Sequence, residues 1–181
     1  MEQHKSPVGW QTDDYRLPIG TLVLCDSQFL LFSVRDSFGD NRRADYLKLR
    51  ELLEKEVSGD PPHSYIVFQA FVAKYDGSIE FSDLLKAFGY QVEERSKLSG
   101  GPFSSSSWLP EITTEAILKK DRYQRMVFVA GDGHLIRLVE TLRQIGIEVW
   151  VVSFPASLSP QLAEAANRTI ILGEETTICP K

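Results

Sequence analysis

The sequence predicts an α/β fold in three layers: a mostly parallel central sheet of about five strands with helices on both faces. Three observations predict it. Runs such as Thr21-Leu22-Val23-Leu24-Cys25 and Met126-Val127-Phe128-Val129-Ala130 are apolar at every position, as strands covered on both faces must be. Segments with helical spacing of apolar residues follow such runs. Strand and helix then alternate along the chain, the pattern that produces parallel sheets.

Residues 1–18 are polar and carry Pro7 and Pro18, and read as an N-terminal arm. The domain spans 19–174, and 175–181 read as a C-terminal tail. The first strand, Thr21 to Cys25, ends at Asp26. A helix is expected from Arg43 to Val57, with Tyr46, Leu49, Leu52 and Leu53 on one face. Tyr65 to Val72 is the second strand. Ile79 to Phe88 is a helix closed by Gly89, and Tyr90 to Glu94 is a shorter, alternating strand nearer an edge. Ser99 to Ser107 has the composition of a loop. Pro110 to Lys120 reads as a helix with proline in its first turn. Met126 to Ala130 is a buried strand, Gly131-Asp132-Gly133 a turn, and Leu135 to Ile145 an amphipathic helix closed by Gly146. Ile147 to Val152, Leu158 to Ala166 and Thr169 to Leu172 complete the pattern as strand, helix and strand.

A chain of 181 residues suits one domain with a sizeable core. Its net charge of −5 argues against a wholly basic nucleic-acid surface but leaves room for a local basic patch. No apolar run approaches the ~20 residues of a membrane span, and the first residues lack the apolar region of a secretory signal. Two cysteines, Cys25 and Cys179, fit a reducing, cytoplasmic compartment rather than a disulfide framework. With no CxxC pair and three scattered histidines, a cysteine-based metal site is not expected.

Ligands of open α/β sheets bind beyond the carboxyl ends of the strands, where strand order reverses. Asp26 ends the first strand, Arg95 and Lys97 follow the third, and Asp132 follows the fourth beside His134. Glu111 and Glu115 open the helix before the fourth strand, one turn apart on one face. If the order is 3-2-1-4-5, Asp26 and Asp132 flank one crevice. Two carboxylates about 4 Å apart repel by roughly 4 kcal/mol at an effective dielectric near 20. A hard cation such as Mg²⁺ or Mn²⁺ between them relieves that repulsion and supports phosphodiester hydrolysis. Plainer roles stand beside these. Asp132 and Asp26 suit helix caps, Glu111 and Glu115 suit first-turn acids, and His134 suits a first-turn helix position. Arg42-Arg43 and Lys119-Lys120-Asp121-Arg122 read most simply as solvated surface.

From Val127 to Leu172 the residues resemble the C-terminal half of the NYN domain, the PIN-like nuclease family that includes the LabA-like proteins. The match runs through Val129-Ala130-Gly131-Asp132-Gly133-His134-Leu135, Leu138-Val139-Glu140-Thr141-Leu142-Arg143 and Gly146-Ile147-Glu148-Val149. Asp26-Ser27-Gln28-Phe29 stands where the family has Asp-Gly-x-Asn, and Leu85 to Val92 resembles its Leu-x-x-x-Gly-Tyr-x-Val. The resemblance implies a 3-2-1-4-5 sheet and RNA hydrolysis with Mg²⁺ or Mn²⁺ on carboxylates. Carried over by position, the catalytic and metal-binding acids are Asp26, Glu111 and Asp132, with Glu115 and His134 as further candidate ligands. Arg95, Lys97 and Lys119 are the candidate phosphate contacts. The chain departs from the family pattern in three places: Phe29 for asparagine, His134 for the second aspartate, and Trp108-Leu109-Pro110-Glu111 for Lys-Gly-x-Asp.

The leading expectation is therefore a metal-dependent endoribonuclease, with RNA as candidate ligand and a homodimer as candidate assembly. The alternative is a degenerate module of the same fold that binds RNA or protein as a regulator. A mononucleotide-binding regulator is a third reading, against which stands the absence of a G-x-G-x-x-G motif or P-loop.

Overall fold

The computed structural model describes residues 20–58, 65–74, 78–96 and 108–179. The N-terminal arm, the Ser99 to Ser107 loop and Lys97 lie outside the described residues. Six parallel strands form the central sheet: β1 (Thr21–Asp26), β3 (Ile66–Lys74), β4 (Tyr90–Ser96), β5 (Arg125–Val129), β6 (Glu148–Ser153) and β7 (Arg168–Ile171). Their order is β4-β3-β1-β5-β6-β7, the expected 3-2-1-4-5 arrangement with one further strand at the edge.

Strict alternation along each strand sends side chains to two separate cores. Val23, Cys25, Val127 and Val129 pack with α1 (Ser27–Phe38), α2 (Tyr46–Val57) and α3 (Ser78–Ala87). Leu22, Leu24, Met126 and Phe128 pack with α4 (Leu109–Lys119), α5 (Ile136–Gln144) and α6 (Pro160–Ala165). Both faces are thus buried, which is why β1 and β5 read as unbroken apolar runs. The α3 and α5 helices end as expected. Gly89 and Gly146 take positive φ values of 82° and 90°, and each donates its N–H back to a carbonyl of the last turn.

The segment after Asp26 is a full helix, α1, with Asp26 as its cap, in line with the capping role open to it. The helix expected from Arg43 begins only at Tyr46. The physical reason is a cap. Asp45 accepts the Lys48 N–H at 3.1 Å and so starts α2, leaving Arg43 and Ala44 extended. Those two residues form β2 and pair with β8 (Thr177–Ile178), so the described part of the tail is fastened to the domain. Arg42, expected on solvated surface, instead ion-pairs with Glu174 and donates to Thr177 Oγ1 at 2.8 Å. Cys25 is buried in β1 and Cys179 is exposed, both as free thiols. Among the described residues, no helix is long and apolar enough to cross a membrane.

Candidate functional site

The chain leaves β1 toward β3 and β4, then returns to lay β5 on the other side of β1. The carboxyl ends of β1 and β5 therefore bound the crevice where ligands of such sheets bind. Asp26 is the last residue of β1, and it is only 6% exposed. Its carboxylate caps α1, accepting the Phe29 N–H at 2.9 Å. Asp132 lies three residues beyond β5 and caps the single 3-10 turn Gly133–Leu135, accepting the His134 N–H at 2.8 Å. Its Oδ1 also lies 2.6 Å from His134 Nδ1, on a ring that is 87% exposed. The capping roles and the site roles thus belong to the same two aspartates.

Gly131 brings this loop into place. A Cβ there would meet the Ser157 carbonyl at 2.0 Å, so only glycine lets the loop press against the segment after β6. Ser159 N–H seals the contact by donating to the Gly131 carbonyl at 2.9 Å. Gly133 is less constrained, because its nearest neighbour is the Ser159 side chain at 3.1 Å.

The two aspartates sense each other. Burial raises the Asp26 carboxyl to about 6 from 3.8, against the opposing pull of the Phe29 and Gln28 N–H groups, and the Asp132 charge raises it further. Among the described residues, no lysine or arginine ion-pairs with either aspartate.

The other expected acid, Glu111, is placed differently. It ion-pairs with Arg95 of β4. Glu115, one turn on, takes Lys119 at 2.7 Å, and Lys119 also donates to the buried Gln69 Oε1 at 2.7 Å. These residues border a cleft of about 240 Å³ lined also by Phe71, Glu93, Glu94 and Trp108. Phe71 is the β3 partner of Asp26 in register, so cleft and crevice adjoin along one sheet edge. Among the described residues, no group of three or more His, Cys, Asp or Glu side chains is arranged to hold a metal ion. Asp26, Glu111 and Asp132 are therefore not assembled as one ligand set, because Arg95 holds Glu111 on the cleft side. Arg95 and Lys119, the expected phosphate contacts, each face a carboxylate instead.

Gln69, Glu93 and Glu94 are not among the residues expected at the site, and Trp108 stands out in the sequence only as a departure from the family pattern. Gln69 was the readable one, a lone amide inside an otherwise apolar strand.

The NYN domain profile matches residues 20–173, which takes in every strand of the central sheet. The chain belongs to the NYN domain family. A similar solved structure is that of a protein of unknown function from Vibrio parahaemolyticus, 20% identical, with a TM-score of 0.76 over 90% of this chain and 98% of that one. At that identity the likeness bears on the fold. No curated protein matches the sequence. The NYN assignment places the chain with the PIN-like nucleases, in agreement with the strand order and the acid-bearing strand ends.

Proposed function

We propose that this NYN domain is a metal-dependent nuclease that hydrolyses RNA phosphodiester bonds in the crevice between β1 and β5. The observation that carries the reading is the pair Asp26 and Asp132. One carboxylate is buried and raised to about 6, the second is its neighbour with His134 Nδ1 at 2.6 Å, and no lysine or arginine among the described residues ion-pairs with either. Magnesium is commonly held by one or two carboxylates with its remaining positions kept by water. The donor set therefore fits Mg²⁺ or Mn²⁺ without a third acid, and Asp26 and Asp132 would hold it.

When bound, such an ion favours deprotonation of water and offsets the charge of the reacting phosphate. The chain's own residues prepare the site. The Phe29 N–H fixes one Asp26 oxygen, and the His134 N–H fixes one Asp132 oxygen, so neither carboxylate needs to reorganise. The exposed His134 ring keeps its Nδ1 2.6 Å from Asp132 Oδ1, within hydrogen-bond reach of the same carboxylate.

The test is Mn²⁺-dependent cleavage of single-stranded RNA by the wild type, Asp26→Asn and Asp132→Asn. The reading expects a loss of roughly a hundredfold or more in each variant. Equal rates in all three, or none in the wild type, would overturn it.

The pairing of Glu111 with Arg95 favours a second reading: a module of the same fold that binds RNA or a protein without turnover. RNA binding that needs no metal and survives Asp26→Ala, together with no cleavage, would select it.

A further inference from the structure

Phe71, Trp108 and Arg95 form a layered stack in the cleft beside the crevice. The two rings lie 5.8 Å apart and inclined at 41°, and the Arg95 guanidinium carbon sits 4.6 Å from the centre of the indole. The stack thus ends in a guanidinium plane, on a side chain that keeps 37% of its surface exposed. Guanidinium planes and aromatic rings are the platforms on which proteins rest unstacked bases. The cleft holds about 240 Å³, below the ~300–1,000 Å³ of pockets that enclose a drug-sized ligand, and so suits a fragment such as one base.

Two of its polar atoms also have no hydrogen-bond partner among the described residues. Trp108 is 2% exposed, and its indole N–H has no acceptor among the described residues. Glu111 Oε2 is buried without a donor among the described residues, while its other oxygen faces Arg95. Buried polar atoms are nearly always paired, so one unpaired donor and one unpaired acceptor bordering the same cleft point to a ligand that offers both. Glu93 and Glu94 add further acceptors to its wall.

We infer that this cleft seats one unstacked base of single-stranded RNA and prefers guanine. The inference rests on the nuclease reading for its choice of an RNA ligand, and it supplies that reading with a substrate preference. Guanine presents N1–H and N2–H₂ side by side with O6 adjacent, two donors for the carboxylate wall and an acceptor for the indole N–H. Uracil presents a single N–H between two carbonyl oxygens, which the carboxylates repel. Arg95 then acts through its plane, as a platform, rather than as a point charge on phosphate.

The experiment is fluorescence anisotropy with the full chain in EDTA, using a labelled short uridine oligoribonucleotide and the same oligomer with one central guanosine. The guanosine oligomer should bind roughly tenfold more tightly. Arg95→Lys, which keeps the charge and loses the plane, should bring the two oligomers within about twofold of each other. Glu111→Gln should also reduce the preference. Asp26→Asn should keep it in full while failing to cleave in Mn²⁺. Equal affinities, no binding to either oligomer, or a preference that survives Arg95→Lys would overturn the inference and leave the cleavage result standing. A guanosine preference in a wild-type protein that does not cleave would instead remove the nuclease reading and leave the base site.

Discussion

Two stretches of one sheet edge carry carboxylates and treat them in opposite ways. In the cleft beside β4, Glu111 has Arg95 and Glu115 has Lys119, so these two negative charges meet cations supplied by the fold. In the crevice between β1 and β5, Asp26 is more deeply buried and has only backbone N–H groups and a like-charged neighbour. Among the described residues no lysine or arginine pairs with Asp26 or Asp132, and Asp132 has only the exposed His134 ring beside it. The unmatched pair is therefore where an external cation gains most, and the matched acids are walls and acceptors. The departures from the family pattern fall on both sides of this division: Phe29 and His134 adjoin the crevice aspartates, and the Trp108 to Glu111 segment belongs to the cleft.

The largest effect expected on stability comes from the cleft wall. Trp108 packs on Phe71 within the core that also holds Ile112 and Ala116. Trp108→Ala should cost about 3–5 kcal/mol in urea unfolding. A cost below about 1 kcal/mol would show that the wall is not part of the core.

Neutralising an acid should then separate the two regions. Asp26 has a folded pKa of about 6 against 3.8, so between these values the folded state binds more protons than the unfolded one. Stability linked to protonated Asp26 is fully present below pH 3.8 and is lost as pH rises through about 6. At pH 7 ionised Asp26 thus costs about 3 kcal/mol, and Asp26→Asn should stabilise the protein by up to that amount. The gain over the wild type should grow from about pH 4 to 6 and then level off. Glu111→Gln should do the reverse and destabilise slightly, by about 0–1 kcal/mol, because its partner is on the surface. Chemical denaturation of both variants across pH checks this, and stabilisation by Glu111→Gln alone would invert the comparison.

The glycines around Asp132 give a smaller contrast. Gly131→Ala drives a methyl into the Ser157 backbone and should cost about 1–3 kcal/mol, while Gly133→Ala meets only a side chain and should cost less. Equal thermal stabilities of the two variants would mean that the loop does not depend on its contact with the segment after β6.

The fold was legible because its signals are local. Unbroken apolar runs at β1 and β5, helical spacing at α2 and α5, and closing glycines at 89 and 146 each follow from burial and backbone conformation. Asp26 and Asp132 were legible by position alone, as the first polar side chains beyond buried strands. The α1 helix was legible only through Asp26 as a cap, because Phe29-Leu30-Leu31-Phe32 presents apolar residues all around instead of a stripe, and Leu31 and Phe32 are in fact exposed. The two-residue strands β2 and β8 are too short for periodicity and exist through a pairing across most of the chain. The partner of Glu111 was hidden for a similar reason. Arg95 lies on a different element, and only the packing of α4 against β4 brings the charges together. Resemblance to the family located the acids and could not say which of them this chain neutralises internally.

In the proposed nuclease, a divalent cation sits between Asp26 and Asp132, with which no lysine or arginine ion-pairs among the described residues. Thermal unfolding of the full chain with and without Mn²⁺ tests it directly, since an ion that binds only the folded state stabilises by about 2.7 kcal/mol at a hundred times its Kd. For a domain of this size that amounts to a rise of roughly 5–10 °C in Tm. The account predicts this rise in the wild type and in Glu111→Gln, and its loss in Asp26→Asn and Asp132→Asn. A wild type unmoved by millimolar Mn²⁺, or an Asp26→Asn protein that shifts as far as the wild type, would contradict it.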